Sequence, residues 1–118
     1  MGPVPADFSL EKLLGRELNQ ICIGPFDLQF RFDSVHVISC TSGKVILEVD
    51  GKCTVVFAEE KHVDLSLFPL IAGRNVIAWK VEGSHEFSVT LTDGARLRFQ
   101  GKDSSYEDFV ILPEVQVI

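Results

Sequence analysis

From Phe26 to Asp33 the chain alternates strictly. Phe26, Leu28, Phe30 and Phe32 are apolar, and Asp27, Gln29, Arg31 and Asp33 between them are polar. Period two marks a strand with one face in a core and the other in water. Weaker versions of the pattern surround it. Leu18 to Ile23 reads as a strand ended by Gly24-Pro25, and Val35 to Thr41 as another beyond the Asp33-Ser34 break. Val45 to Val49 and Cys53 to Phe57 flank Asp50-Gly51. That pair suits a type I′ hairpin, whose two central residues both need positive φ. Further on, Arg74 to Val81 and His85 to Leu91 read as strands, and Asp93-Gly94 turns the chain into Arg96 to Phe99. Tyr106 to Leu112 and Val115 to Ile118 close the chain on either side of Pro113.

Two segments depart from this pattern, and they resemble each other. Residues 7 to 18 read DFSLEKLLGREL and residues 64 to 76 read DLSLFPLIAGRNV. With Ala72 taken as an insertion, the pairs Asp7/Asp64, Ser9/Ser66, Leu10/Leu67, Leu13/Leu70, Gly15/Gly73 and Arg16/Arg74 are identical. In the first copy Asp7 or Ser9 is placed to cap a short helix through about Leu14, with Gly15 as its C′ residue. In the second, Pro69 makes the stretch irregular. So short a helix is stable only against an apolar surface. The repeat extends along the chain as one short helix followed by about five strands, over residues 7–58 and 64–118, joined through the polar AEEKHV at 58–63. Helices this short cannot serve as crossovers for a parallel sheet. The expected fold is all-β with one or two short helices. It is an antiparallel barrel or sandwich of about ten strands, built from two pseudo-symmetric repeats around an approximate two-fold axis. Residues 1–118 form one domain, because neither unit buries its Phe-rich face alone.

Composition narrows the function more by exclusion than by indication. Nine Phe against one Tyr and one Trp point to core packing, since Phe has no polar handle. The net charge is −6, and both parts of the chain are acidic: nine acids against five bases in residues 1–60, eight against six in 61–118. Nucleic acid and anionic membrane surfaces call for clustered Lys and Arg, so neither is an expected partner. A basic protein fits the charge. The three cysteines Cys22, Cys40 and Cys53 are an odd set without CxxC spacing, which argues against a secreted disulfide scaffold. The first residues lack the pattern of a signal peptide, and no apolar run reaches membrane-spanning length. A cytoplasmic protein is the expectation.

No phosphate loop occurs, no GxSxG elbow, and no HxH, HxxxH or HExxH spacing among His36, His62 and His85. No cofactor is expected. A metal site from Cys22, Cys40 and His36 across neighbouring strands is the nearest candidate. Without local ligand spacing these residues read as core, His36 sharing a face with Ile38 and Cys40. The cysteines lie mid-strand in apolar sequence, not in the electropositive setting of a nucleophile. Among the acids, Glu59-Glu60 read as a solvated linker. Glu107 falls in a row with Phe109 and Ile111, as a half-buried acid held by Arg16 or Arg74. Those two arginines follow the short helices, where a cation binds the last carbonyls; converging on the two-fold axis, they would instead form an anion site. Trp79 aligns with Ile21 and reads as core. Arg96 and Arg98 lie on the polar face opposite Glu86, Ser88 and Thr90 as cross-strand partners.

The stretch LLGRELNQICIGPFDLQFRF at 13–32, together with DSSYEDFVI at 103–111, resembles a family of small bacterial β-rich proteins of unknown function. A Leu-x-Gly opening, an amphipathic hairpin and a terminal Tyr-Glu-x-Phe segment recur there. The resemblance covers most of the chain and implies a bacterial cytoplasmic protein, with toxin immunity as a role some members suggest. It brings no catalytic residues. Two functions follow as expectations. One is a non-catalytic binding protein that engages a basic protein partner, immunity-like in character. The other is a small-ligand-binding protein or hydrolase with a pocket between the two repeats, formed by Arg16, Arg74, Tyr106 and Glu107. A monomer is expected, or a homodimer paired through the apolar terminal VQVI.

Overall fold

The computed structural model describes residues 1–25, 27–58, 62–102, 107–113 and 116–118. Tyr106 and the Glu59-Glu60 pair, both singled out above, lie outside the described residues.

Strands form where the alternation places them. They are β1 Leu18–Ile23, β2 Leu28–Phe32, β3 His36–Cys40, β4 Lys44–Val49, β5 Lys52–Ala58, β6 His62–Val63, β7 Val76–Gly83, β8 Glu86–Leu91, β9 Arg96–Gln100, β10 Phe109–Leu112 and β11 Gln116–Val117. Among the described residues, helix is confined to a single 3₁₀ turn at Glu11–Leu13 and to α1, Phe68–Ile71, while Thr92–Gly94 is a tight turn with left-handed φ at Asp93 and Gly94. All strand pairings among the described residues are antiparallel. One sheet runs β1-β2-β3-β10-β11 and the other β6-β5-β4-β9-β8-β7. The barrel does not close; the fold is two facing sheets. The type I′ signals act as read: Asp50 and Gly51 have φ of 53° and 77°, Asp93 and Gly94 of 67° and 85°.

The order of strands shows how the chain halves share the core. Strands β1–β3 lie in the first sheet, and the next strands of the same half, β4 and β5, in the second. Strands β7–β9 lie in the second sheet, and β10 and β11 in the first. Each half therefore gives three strands to one sheet and its last strands to the other. The alternating pattern then turns the apolar faces of β2, β4, β8 and β9 inward. Phe30, Phe32, Phe87, Phe99 and Phe109 are each fully buried. Phe87 and Phe99 stack at 4.9 Å, and Phe109 meets both edge-on at 5.5 and 5.7 Å. Phe30 reaches Phe99 across the sheets at 5.6 Å. Burial of each such side chain stabilises by roughly 1.5–3 kcal/mol, and each aromatic pair adds about 0.5–1.5 kcal/mol.

The chain first changes sheet at Ser42-Gly43. Gly43 has φ of +78°, and a Cβ there would lie 2.7 Å from the Gln100 carbonyl oxygen and 3.1 Å from Phe109 Cζ. Only glycine satisfies both the left-handed backbone and this close approach.

The repeated segments meet directly. Gly15 N–H donates to Val76 O and Gly73 N–H to Leu18 O, both at 2.8 Å. Leu18 N–H donates to Arg74 O at 2.9 Å and Val76 N–H to Arg16 O at 2.8 Å, around a bridge between Glu17 and Asn75. Exchanging Gly15 with Gly73, Arg16 with Arg74 and Leu18 with Val76 turns each bond into another of the set. Both glycines have positive φ, 82° and 85°.

The insertion between the copies is not at Ala72. Leu13 and Ile71 are the buried members, Leu14 and Ala72 both take extended C-cap geometry, and each is followed by the glycine. Leu14 N–H bonds back to Glu11 O, three residues away, and Ala72 N–H to Phe68 O, four away. The extra residue lies inside the turn and converts a 3₁₀ turn into an α turn. Pro69 is accommodated in the first turn of α1, where its missing N–H is not needed. No side chain caps either segment at its N-cap residue, although Ser9 Oγ accepts the Glu11 N–H at 3.1 Å.

Candidate functional site

The turn between β2 and β3 builds a linked set of side chains. Asp33 adopts φ of 72° and folds its carboxylate over the turn. Its Oδ1 accepts the Val35 N–H at 2.8 Å and the His36 N–H at 3.0 Å. Arg16 donates to Oδ2 at 2.6 Å, and His36 Nδ1 stands 3.1 Å from both oxygens. The backbone N–H of Val35, then that of His36, hold the carboxyl far below the usual carboxylate range against a smaller opposing effect of burial; the His36 ring adds to the lowering. An ionised Asp33 accepts only, so the His36 Nδ1 facing it is the donor.

His36 is 8% exposed and lines an open cleft of about 290 Å³. Buried Leu10, Leu13 and Ile111 form the deep part, and exposed Asp7, Glu11 and Lys12 stand at the rim. The cleft lies between the halves, since Leu10 and His36 come from the first and Ile111 from the second. Trp79 donates its indole N–H to Glu11 Oε1 at 3.2 Å and packs against Phe8, so it is a half-buried wedge with a polar contact. Ser9 also lines the cleft, but no hydrogen bond joins it to His36.

The residues singled out from the sequence are not brought together. Arg16 caps the short helix as expected, donating from Nε to Lys12 O at 2.6 Å, but its second bond goes to Asp33. Arg74 instead donates to Thr92 O at 3.3 Å, in the turn after β8. Each arginine thus binds the turn that follows the second strand of its own half, and neither lines the cleft or holds Glu107. Glu107 is exposed, not half-buried, and the buried acid is its neighbour Asp108, 1% exposed. The Asp108 and Phe109 N–H groups both donate to Ile118 O at 2.8 Å. This bulge puts two successive side chains inside and ends the alternation on which the assignment rested.

Asp108 is held by three donors: Ser42 Oγ, the Lys102 N–H at 2.9 Å and the Met1 ammonium at 3.0 Å. Burial alone raises its pKa, but the hydroxyl, the N–H and the ammonium outweigh it and the net shift is downward.

On the outer face of the second sheet, Arg96 and Arg98 form a ladder instead of separate exposed pairs. Arg96 bridges Glu48 at 2.9 Å and Glu82 at 2.8 Å, and Arg98 bridges Glu48 at 3.1 Å and Glu86 at 2.9 Å. Hydrogen bonding from Arg96 lowers the Glu48 pKa against an opposing effect of burial. Cys53 is exposed, contrary to its apolar sequence context, because it lies near the start of β5 beside the hairpin turn. Cys40 is buried, and burial, then the Asp27 charge, pushes its thiol well up. Among the described residues no three His, Cys, Asp or Glu are grouped to hold a metal ion. No described helix is long and apolar enough to cross a membrane.

Sequence reading missed the Asp33–His36 pair. The available signal was the Asp-x-x-His spacing across a turn with Asp at its head. No family model, curated protein or solved structure matches the chain.

Proposed function

We propose that the chain is a non-catalytic binding protein that engages a basic protein partner, immunity-like in role, through an acidic surface. The observation that carries this reading is the distribution of paired charge. Arg16, Arg96 and Arg98 are committed to carboxylates of the same chain. Asp7, Glu17, Asp50, Asp93 and Glu107 are exposed and form no ion pair among the described residues. The acid excess is thus left for solvent or a partner, and such charge speeds encounter and selects partners more than it adds affinity. The immobilised chain should retain a basic protein from extract of its native cells at low salt and release it at raised salt. A variant carrying Asp7→Asn, Glu17→Gln, Asp93→Asn and Glu107→Gln should not retain it. Retention of nothing, or retention indifferent to salt and to these changes, would sink the reading.

The cleft at His36 favours a second reading, a small-ligand-binding protein with its site between the two halves. Sites of this kind are concave and mostly apolar, with a few placed polar groups. A saturable ligand that perturbs the His36 ring supports it, whereas a His36 ring unmoved across a broad small-molecule screen would count against it.

A further inference from the structure

His36 is about nine-tenths buried, its Nδ1 is taken by Asp33, and no described residue hydrogen-bonds to Nε2. With Nδ1 held by Asp33, Nε2 is the ring nitrogen left for a ligand. At the rim, the Asp7 carboxylate has no hydrogen bond or ion pair among the described residues, and Glu11 accepts one indole N–H. Lys12, the cation of the same rim, has an interaction of its own. The open carboxylates of Asp7 and Glu11 are acceptors, and both carry charge. Beneath them Leu10, Leu13 and Ile111 offer a buried apolar wall.

Resting on the small-ligand reading, we propose that this cleft binds an organic cation: an ammonium or guanidinium group on a short aliphatic stem. The head sits between the Asp7 and Glu11 carboxylates beside the His36 ring, where hydrogen bonds to carboxylates are charge-assisted. The stem lies along Leu10, Leu13 and Ile111. A volume of about 290 Å³ stands at the small end of ligand sites and suits a single amine or one basic side chain. Asp33 and Arg16 are positioning residues here, since they orient the ring without touching the ligand. Carboxylates and phosphates are disfavoured by the rim.

The test is a titration of the full chain followed by the imidazole ¹⁵N signals of His36. Agmatine and pentylamine supply the free cation, and end-capped peptides with one Lys or Arg supply the same group from a protein. Pentanol and pentanoate match the stem without the positive charge. A saturable His36 shift with the cations is expected, with no shift from pentanol or pentanoate. Asp7→Asn should weaken the cation by about tenfold, the worth of one hydrogen bond to a charged group. Asp7 is exposed, so this variant keeps the test valid if a His36→Gln protein fails to fold. Asp50→Asn, in the β4–β5 turn, should change nothing. Capped peptides shifting His36 where free amines do not would still support the proposal and locate the cation on a protein. Equal binding of pentanol or pentanoate would overturn the cationic class while leaving a small-ligand site. No shift with any probe, or cation binding indifferent to both Asp7→Asn and Glu11→Gln, would overturn the proposal.

Discussion

Substitution of Gly43 by Ala probes the point where the chain leaves one sheet for the other. Two costs add there. Left-handed backbone costs a non-glycine residue about 1–2 kcal/mol, and a Cβ would stand 2.7 Å from the Gln100 carbonyl oxygen and 3.1 Å from Phe109 Cζ. Neither neighbour yields easily: Gln100 is backbone in β9, and Phe109 is fully buried between Phe87 and Phe99. Overpacking of this kind costs about 1–3 kcal/mol. The loss of unfolded-chain entropy returns about 0.4–1 kcal/mol, leaving a net destabilisation of about 2–4 kcal/mol. Gly51→Ala is the matched control. Its φ is +77°, almost the same, yet nothing lies within 4 Å of a Cβ. It keeps the backbone cost alone, about 1 kcal/mol net. Urea unfolding followed by Trp79 fluorescence measures both. With a slope near 1.5 kcal/mol per molar, Gly43→Ala should lower the midpoint by about 1–3 M and Gly51→Ala by under about 1 M. Equal midpoints for the two variants would refute the close approach at the corner.

Other expectations follow from the charged and thiol groups. Asp33 has its folded pKa below the ordinary value, so its stabilisation is present above about pH 4 and is lost as pH falls below that; wild type should therefore lose more stability than Asp33→Asn on acidification, and parallel losses would contradict the turn geometry. Glu48→Gln removes the carboxylate shared by Arg96 and Arg98 and should cost about 0.5–1 kcal/mol, falling with salt; a salt-independent loss would point to another cause. In native buffer a thiol reagent should modify exposed Cys53 quickly and buried Cys40 only on unfolding, with fast modification of Cys40 as the contrary result.

Much of the architecture was legible because a half-buried strand declares itself residue by residue. Phe30 and Phe32 alternate with Arg31, and that alone fixes which face is inside. What the pattern omits is the partner. Nothing local in Val45–Val49 states that β4 pairs with β9 of the other half, because any strand with one apolar face would satisfy it. Identity matching also misplaced the insertion near Ala72, since Leu13/Leu70 match as letters while the change from an i→i+3 to an i→i+4 turn makes Ile71 the buried counterpart of Leu13. Asp108 and Glu107 were exchanged for a similar reason: a bulge shifts the pleat by one residue, and β-patterning has no sign for it. His36 was read as core, which its burial supports. Its chemistry depends on Asp33, whose positive φ brings a carboxylate back onto the ring three residues later.

Strand exchange between the halves is tested most directly by cutting the chain between residues 58 and 62 and studying the fragments apart and together. Each fragment alone lacks strands of both sheets and leaves Phe faces uncovered. Each should be unfolded by circular dichroism and by amide exchange. Mixed in equal amounts, they should recover the β signal and slow exchange of the intact chain, with the His36 ring signals of the whole protein. Cooperative folding of either fragment on its own, with no gain on mixing, would contradict the exchange.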